Sequence, residues 1–289
     1  MKKCVFLSTD KLEDFFVYDM LVAPHLERLG WHVSELSWHD TQQDWNQYDV
    51  VIVRSTWDYQ QHEKAFLECL QRIEDSSCAL ENQLALMQWN ISKTYLRDLH
   101  NKGVPIIPTI WCDELCHNDL NPDVFETLNA SEIVIKPYVS ANSDFTYRLN
   151  RDQLNAQKSR IVSEYKNKSA MVQPFLNSIV EEGEYSLFYF DGRFSHAISK
   201  HPKVGDFRVQ EEHGGHLKLI QPSQKQLSLA EQTLALLPHP AFFARVDIVM
   251  TPKGLAIIEI ELIEPSLYFN MDEQSALRFA NAIHQKYGL

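Results

Sequence analysis

Residues 243–265 read FARVDIVMTPKGLAIIEIELIEP. Two apolar runs flank Pro252-Lys253-Gly254, and the pattern reads as a β-hairpin turning there. Ile258, Ile260 and Leu262 alternate with Glu259 and Glu261, so both glutamates leave the strand on one face. A half-buried antiparallel strand with its charges in water accounts for this alternation. A carboxylate pair on a rigid strand also suits a hard cation such as Mg²⁺, and without one the repulsion would raise a pKa. The facing strand tips the balance. Asp247 stands between Val246 and Ile248, and pairing across the turn can place it beside Glu259 or Glu261. Three carboxylates on one face would repel one another, so the metal reading prevails.

The chain has 289 residues, 44% hydrophobic and 23% charged, as expected of a soluble globular protein of two or three packed units. Its net charge of −12 leaves no basic excess for nucleic acid as a main partner, though a local basic pocket for a nucleotide remains compatible. The start, MKKCVFLSTDKLEDFF, has only a short apolar run and does not read as a signal peptide, and no stretch approaches a membrane span. Cys4, Cys69, Cys78, Cys112 and Cys116 show no regular spacing, which fits reduced thiols and a cytoplasmic location. Cys112, Cys116 and His117 cluster, but a zinc site needs a fourth ligand.

Outward from the hairpin, the rest reads as alternating α and β. Strands are expected at 3–9, 31–38 and 48–56, with helices over 12–30 and 62–75. This is a small α/β domain with a largely parallel sheet, whose binding surface would be the carboxyl strand ends, at RSTWDY (54–59). A helical stretch covers 82–103, followed by extended 104–111 and a short helix over 122–130. Strand, turn and strand cover 132–149; a helix follows over 151–167 and a strand over 169–176. The remainder is strand-rich, with a hairpin over 184–202 turning at Asp191-Gly192 and a Gly214-Gly215 break within 207–220. Helices over 227–238 and 274–288 complete the pattern. The units divide at 1–85, 86–170 and 171–289.

Several residues carry candidate chemistry. Lys136, at the end of the apolar run IVIK, reads as a strand terminator or as a phosphate-binding charge. Lys93, in NISKTYL, lies in the helical stretch and alone would read as a surface lysine. MVQPFL (171–176) ends a strand where backbone groups could read an adenine edge. Arg54 could clamp a carboxylate through two hydrogen bonds and Asp58 could hold an amino group; the alternative is a capped loop with a packed Trp57. Tyr138, His213, Ser266 and Tyr268 are candidates for the same cavity. Trp31, His32, Trp38 and His39 read as domain packing. The stretch 205–216, GDFRVQEEHGGH, has glycine hinges suited to a mobile loop and reads equally as a long hairpin turn.

In order, these features resemble the ATP-grasp superfamily, in particular the glutathione-synthetase-like ligases. The most specific match is Glu259-Ile260-Glu261 followed by Pro265, with Asp247 upstream in an apolar strand. Closer still is the look of the cyclo-ligases of cycloserine biosynthesis and their relatives, through RSTWDY, EEGEYSL, HPKVGDFRVQEEHGG and ELIEPSL. The resemblance spans essentially the whole chain. It implies an α/β (α+β) ATP-grasp fold, a small α/β domain plus two α+β subdomains clasping ATP. It implies that Lys93 and Lys136 hold the ATP phosphates, that Gln173, Pro174, Phe175 and Leu176 form the adenine hinge, and that Glu182 or Glu184 binds the ribose. Asp247, Glu259 and Glu261 would hold Mg²⁺, or Mn²⁺ in its place; Arg208 and Lys200 would neutralise the transferring phosphoryl group. Arg54, Asp58 and Ser266 would meet substrate. One departure stands out: the loop after Lys136 contains no glycine, and Ser140, Asn142 and Ser143 would have to donate instead.

The resemblance thus implies an ATP- and Mg²⁺-dependent carboxylate–amine ligase acting on small molecules. A carboxylate is a poor electrophile; phosphorylation makes an acyl-phosphate that a nitrogen nucleophile can attack. Such a transfer needs alignment and charge neutralisation more than covalent help. The alternatives are a small-molecule kinase on the same fold and a non-catalytic ATP-binding module. Such ligases are often dimers, so a homodimer is the expected assembly.

Overall fold

The structure is a computed structural model, and it describes residues 1–13, 15–140 and 144–288. Asn142 and Ser143, the expected donors after Lys136, lie outside the described residues. Three sheets organise the chain.

The first sheet is wholly parallel, in the order β2-β1-β3-β4. Its elements are β1 (Lys2–Ser8), α1 (Ala23–Arg28), β2 (Trp31–Ser37), β3 (Val50–Val53), α2 (Glu63–Glu74) and β4 (Ala79–Glu81). All four residues of β3, VVIV, are buried, as a strand covered on both faces requires. Helix α2 buries Phe66, Cys69, Leu70 and Ile73, the one-face spacing of an amphipathic helix. The expected helix over 12–30 is shorter, with a 3₁₀ turn at Asp19–Val22 and then α1. Pro24 explains the late start, because proline suits a first helical turn and breaks an interior.

The stretch 82–103 forms two helices, α3 (Leu84–Asn90) and α4 (Tyr95–Asn101). Lys93 therefore stands in a break, not on a helix. The break has identifiable partners: the Lys93 N–H donates to the Tyr138 carbonyl at 2.8 Å, and the Asn90 side chain reaches the backbone of residues 260 and 262. Then come β5 (Ile110–Cys112), α5 (Asp123–Thr127), β6 (Glu132–Pro137), β7 (Tyr147–Asn150), α6 (Arg151–Glu164) and β8 (Ala170–Pro174). The second sheet runs β5-β8-β6-β7. An Asn150–Gln153 capping box starts α6. Because β8 pairs with β6, this sheet extends to Pro174, past the expected division at 170.

The third sheet is antiparallel, ordered β11-β10-β9-β12-β13. Helix α7 (Asn177–Glu181) leads into β9 (Glu184–Phe190), β10 (Arg193–His201) and β11 (His216–Ile220). After α8 (Gln224–Leu234) come the hairpin strands β12 (Phe243–Thr251) and β13 (Gly254–Glu261), then α9 (Ser275–Tyr287). Asp191 and Gly192 both have positive φ, the geometry of a tight hairpin turn. One face of this sheet packs Leu187, Val246, Ile248 and Ile260 against Leu86, Tyr95, Leu96 and Leu99 of α3 and α4. Elsewhere α9 shares a core with β1 and α1 through Phe279, Ala280, Phe6 and Leu26. Among the described residues, no helix is long and apolar enough to cross a membrane.

Candidate active site

The register of the third sheet sets the site. Lys200 pairs with Glu184, Ser186 with Asp247, Asp247 with Glu259, and Arg245 with Glu261. Alternation puts these side chains on the face opposite the α3–α4 core, as a polar band across β10, β9, β12 and β13. A bulge on β13 at Ile258 breaks the register beside Asp247 and re-aims the strand. Gly183 lets β9 approach closely: a Cβ there would lie 2.8 Å from the Lys200 carbonyl oxygen.

Over this band opens a cavity of about 220 Å³. One end is an apolar slot of Ile107, Phe175, Leu176, Phe207 and Ile258. The Gln173 amide donates to Thr109 Oγ1 at 2.9 Å and the Phe175 N–H to the Glu132 carbonyl at 2.9 Å, which fixes this end of β8. Phe207 meets Phe175 edge-on at 6.2 Å between ring centroids, and the Arg148 guanidinium lies 3.5 Å over the Phe175 ring. The segment carrying Phe207 is also held from the first sheet's side, where the Tyr18 hydroxyl donates to both Glu211 carboxylate oxygens at 3.1 and 3.2 Å. Gly215 is required for that segment's fold, since a Cβ would lie 2.1 Å from the Val209 carbonyl oxygen.

Deeper in, Asp247, Glu259 and Glu261 each offer an oxygen atom, all within 4.8 Å of one another. Lys93 Nζ lies 2.8 Å from Glu259 and donates to the Ser140 carbonyl at 3.0 Å. Lys200 pairs with Glu184 and lies 3.5 Å from Asp247. Arg245 bonds Asp247 at 2.9 Å and also Glu261. Burial pushes the Asp247 carboxyl up, but Arg245 and Lys200 outweigh it and hold it below the ordinary value. Glu259 behaves likewise through Lys93 and Lys136. Glu261 is pushed up to about 7, by burial and by its neighbours Glu259 and Asp247, because Arg245 is shared with Asp247. Burial lowers Lys136, and it makes no ion pair among the described residues.

The donor set fits a divalent hard cation. The three closely spaced ligands are all oxygens, the preference of Mg²⁺ or Mn²⁺, and none is the sulfur or imidazole of a softer site. The acids Glu184, Glu212, Asp247, Glu259, Glu261 and Glu264 outnumber Lys93, Lys136, Lys200, Arg208 and Arg245 along the wall. Added positive charge would relieve that excess.

Of the expected residues, Lys93, Lys136, Gln173, Pro174, Phe175, Leu176, Glu184, Lys200, Arg208, Asp247, Glu259, Glu261 and Ser266 all line this cavity. Arg208 reaches it while bonded to Asp206 at 2.7 Å. Glu182 does not; it is exposed at the end of α7. Arg54 is 1% exposed, with Nε on Asp19 at 2.9 Å and Nη2 on the Pro265 carbonyl at 2.6 Å, so its donors face inward. Asp58 instead accepts from Trp38 Nε1 at 2.7 Å and contacts His39 at 2.6 Å and Thr9. Tyr268 lines the cavity, while Tyr138 and His213 are not among its walls. Cys112 is buried and Cys116 exposed, and the carboxylate trio is the one metal-type group found among the described residues. Sequence reasoning missed Arg245, Ser186 and Glu264, and named Trp57 and Tyr59 only as part of RSTWDY. The first two carried a signal: Arg245 is two residues from Asp247, and Ser186 two from Glu184, each on the same face of its strand.

The profile of the prokaryotic glutathione synthetase ATP-grasp domain matches residues 122–276, and that of the N-terminal domain of D-cycloserine synthetase DcsG matches residues 4–82. The cycloserine biosynthesis protein DcsG of Streptomyces lavendulae is 30% identical over 257 residues, spanning 83% of this chain and 84% of that protein. Glutathione synthetase of Prochlorococcus marinus is 25% identical over 191 residues, 65% of this chain and 58% of that one. The crystal structure of D-cycloserine synthetase DcsG superposes with a TM-score of 0.87 at 27% identity, covering 99% of both chains.

Proposed function

This chain belongs to the ATP-grasp ligases of the prokaryotic glutathione-synthetase type, and on that premise we propose that it activates the carboxylate of a small amino acid or amino-acid derivative as an acyl-phosphate for attack by a nitrogen nucleophile. The similarity to a cycloserine biosynthesis protein supports a nucleophile carried on the same molecule, so that the product is a ring. The observation that carries the reading is the meeting of Asp247, Glu259 and Glu261 with Lys93, Lys136, Lys200 and Arg245 on one cavity wall beside an apolar slot.

In this reading Gln173 through Leu176, with Ile258 and Phe207, receive the adenine ring. Glu184 faces the ribose side; Glu182 lies outside the cavity. Lys93 and Lys136 hold phosphate oxygens, and Lys136 is suited to this because, among the described residues, it makes no direct ion pair that a phosphate would have to displace. Asp247, Glu259 and Glu261 would hold Mg²⁺, or Mn²⁺, which when bound neutralises phosphate charge. Arg208 and Lys200 face the transferring phosphoryl group, and the 205–216 segment keeps water from the acyl-phosphate. Small molecules as substrates and a cytoplasmic location are parts of this proposal.

The test is ATP-dependent phosphate release with Mg²⁺ over a panel of amino acids, with hydroxylamine as surrogate nucleophile. Hydroxamate from one carboxylate, abolished in Glu259→Gln, is the expected result. Tight ATP binding with neither ADP nor hydroxamate formed would overturn it.

A further inference from the structure

The carboxylates of the cavity do not share one environment. Glu184 is paired with Lys200, Asp247 with Arg245 and Lys200, Glu259 with Lys93, and Glu261 with Arg245. Glu264 is 9% exposed, lines the same cavity, and makes no ion pair among the described residues. Its carboxyl has the Tyr59 hydroxyl as a hydrogen-bonding neighbour. Burial, and then Glu261, push that carboxyl up to about 8 against a weaker pull from Lys93, whose ion pair is with Glu259. A buried acid left without a cation is costly, and a ligand cavity is where such a cost can be relieved by a bound cation.

The surroundings of Glu264 narrow the kind of cation. Trp57 donates its indole N–H to the Glu264 carbonyl at 2.9 Å, and Phe15 packs on Trp57 at 5.1 Å between ring centroids. Trp57, Phe15 and Tyr59 all line the cavity. Aromatic side chains lining the same cavity as a carboxylate suit an organic ammonium, which can gain from ring quadrupoles as well as from the charge. A bare metal ion would seek further oxygen ligands, and these lie in the neighbouring trio. The first unit thus contributes to the cavity through Trp57 and Tyr59, while Asp58 between them turns away to Trp38 and His39.

We propose that Glu264, walled by Trp57, Phe15 and Tyr59, is the subsite for the ammonium group of the substrate, so that the enzyme selects amino-bearing carboxylates over their des-amino counterparts. This rests on the ligase reading above. Glu261 of the metal-type trio is the strongest charged neighbour of Glu264, so an amino acid held there by its nitrogen has the trio within the same cavity for its carboxylate.

The test is calorimetric binding of D-alanine, L-alanine and propionate, with Mg²⁺ and a non-hydrolysable ATP analogue present. One alanine enantiomer should bind at least about tenfold more tightly than propionate. Glu264→Gln should weaken that alanine on the order of 30-fold and leave propionate within about twofold, as expected for one charge-assisted contact. Trp57→Leu should cost alanine about fivefold through the lost ring. Affinity for the ATP analogue should not change, which also shows that the variants are folded. Equal wild-type binding of alanine and propionate, or no alanine binding, would overturn the proposal without any variant. Equal losses for both probes in Glu264→Gln would do the same and leave Glu264 a neutral packed acid. Failure of the ligase reading looks different: ammonium selectivity would persist while no ATP-dependent hydroxamate forms.

Discussion

Arg54 and Arg245 are both arginines almost removed from water, and they do opposite things. Arg54 meets one acid, Asp19, whose second oxygen takes the Ser55 hydroxyl; the remaining donors go to backbone carbonyls. Charge is matched, every contact faces inward, and the result is a brace between β3 and the Pro265 turn. Arg245 is shared between Asp247 and Glu261, with Glu259 close by, on a wall that opens to a cavity. There acid exceeds base, and the excess is what can bind something. The lesson is that a buried arginine alone does not mark a site. The imbalance around it, and the space beside it, do.

That contrast can be broken experimentally. Asp247→Asn should lower kcat/KM about a thousandfold, roughly 4 kcal/mol of transition-state stabilisation, with folding stability changed by about 1 kcal/mol. Steady-state kinetics beside thermal unfolding checks this; a large stability loss with activity retained would make the Arg245 cluster a second brace. Arg54→Met should do the reverse. Stranding Asp19 should cost about 3 kcal/mol of stability in denaturant titration, while kcat per folded molecule stays within about twofold.

A third case sharpens the comparison. His196 is 3% exposed, stacked on Phe188 at 4.2 Å, and given the Leu267 carbonyl at 3.1 Å as partner. Burial lowers its pKa to about 4, against 6.5 ordinarily, with Asp272 too weak to offset it. The unfolded chain therefore binds the proton more readily. The stability contribution is complete above pH 6.5 and is lost as pH falls toward 4, by about 2 kcal/mol at pH 5. Replacing it with Phe should flatten that part of the stability–pH curve; an unchanged slope would assign the acid sensitivity to the carboxylates.

Much of this was legible in the sequence because strands expose their pattern. The alternation around Asp247, Glu259 and Glu261 announced a shared face, and the hairpin turn announced the pairing that joins them. Lys136 and the MVQPFL stretch were readable for the same reason. What escaped was whatever depends on contacts distant in the chain. Arg54 and Asp58 look like ligand residues at the carboxyl ends of parallel strands, and nothing local reveals that Asp19, Trp38 and His39 occupy them. Glu264 looks like a loop acid, because its making no ion pair among the described residues is a property of the folded cavity. Lys93 read as helical since the break around it is enforced by Tyr138 and by strand β13, far along the chain.

The outer edge of β13 has a further consequence. The Ile257 N–H goes to the Pro105 carbonyl, the Ile260 N–H to the Tyr95 hydroxyl, and Asn90 takes both the Ile260 carbonyl and the Leu262 N–H. Backbone groups that a foreign strand would pair with are already spoken for by side chains and a loop. The sheet therefore cannot be lengthened from this end by another copy or by a misfolded neighbour without first unseating Asn90. The strand that carries the site's glutamates is shielded from aggregation by the same contacts that hold it still.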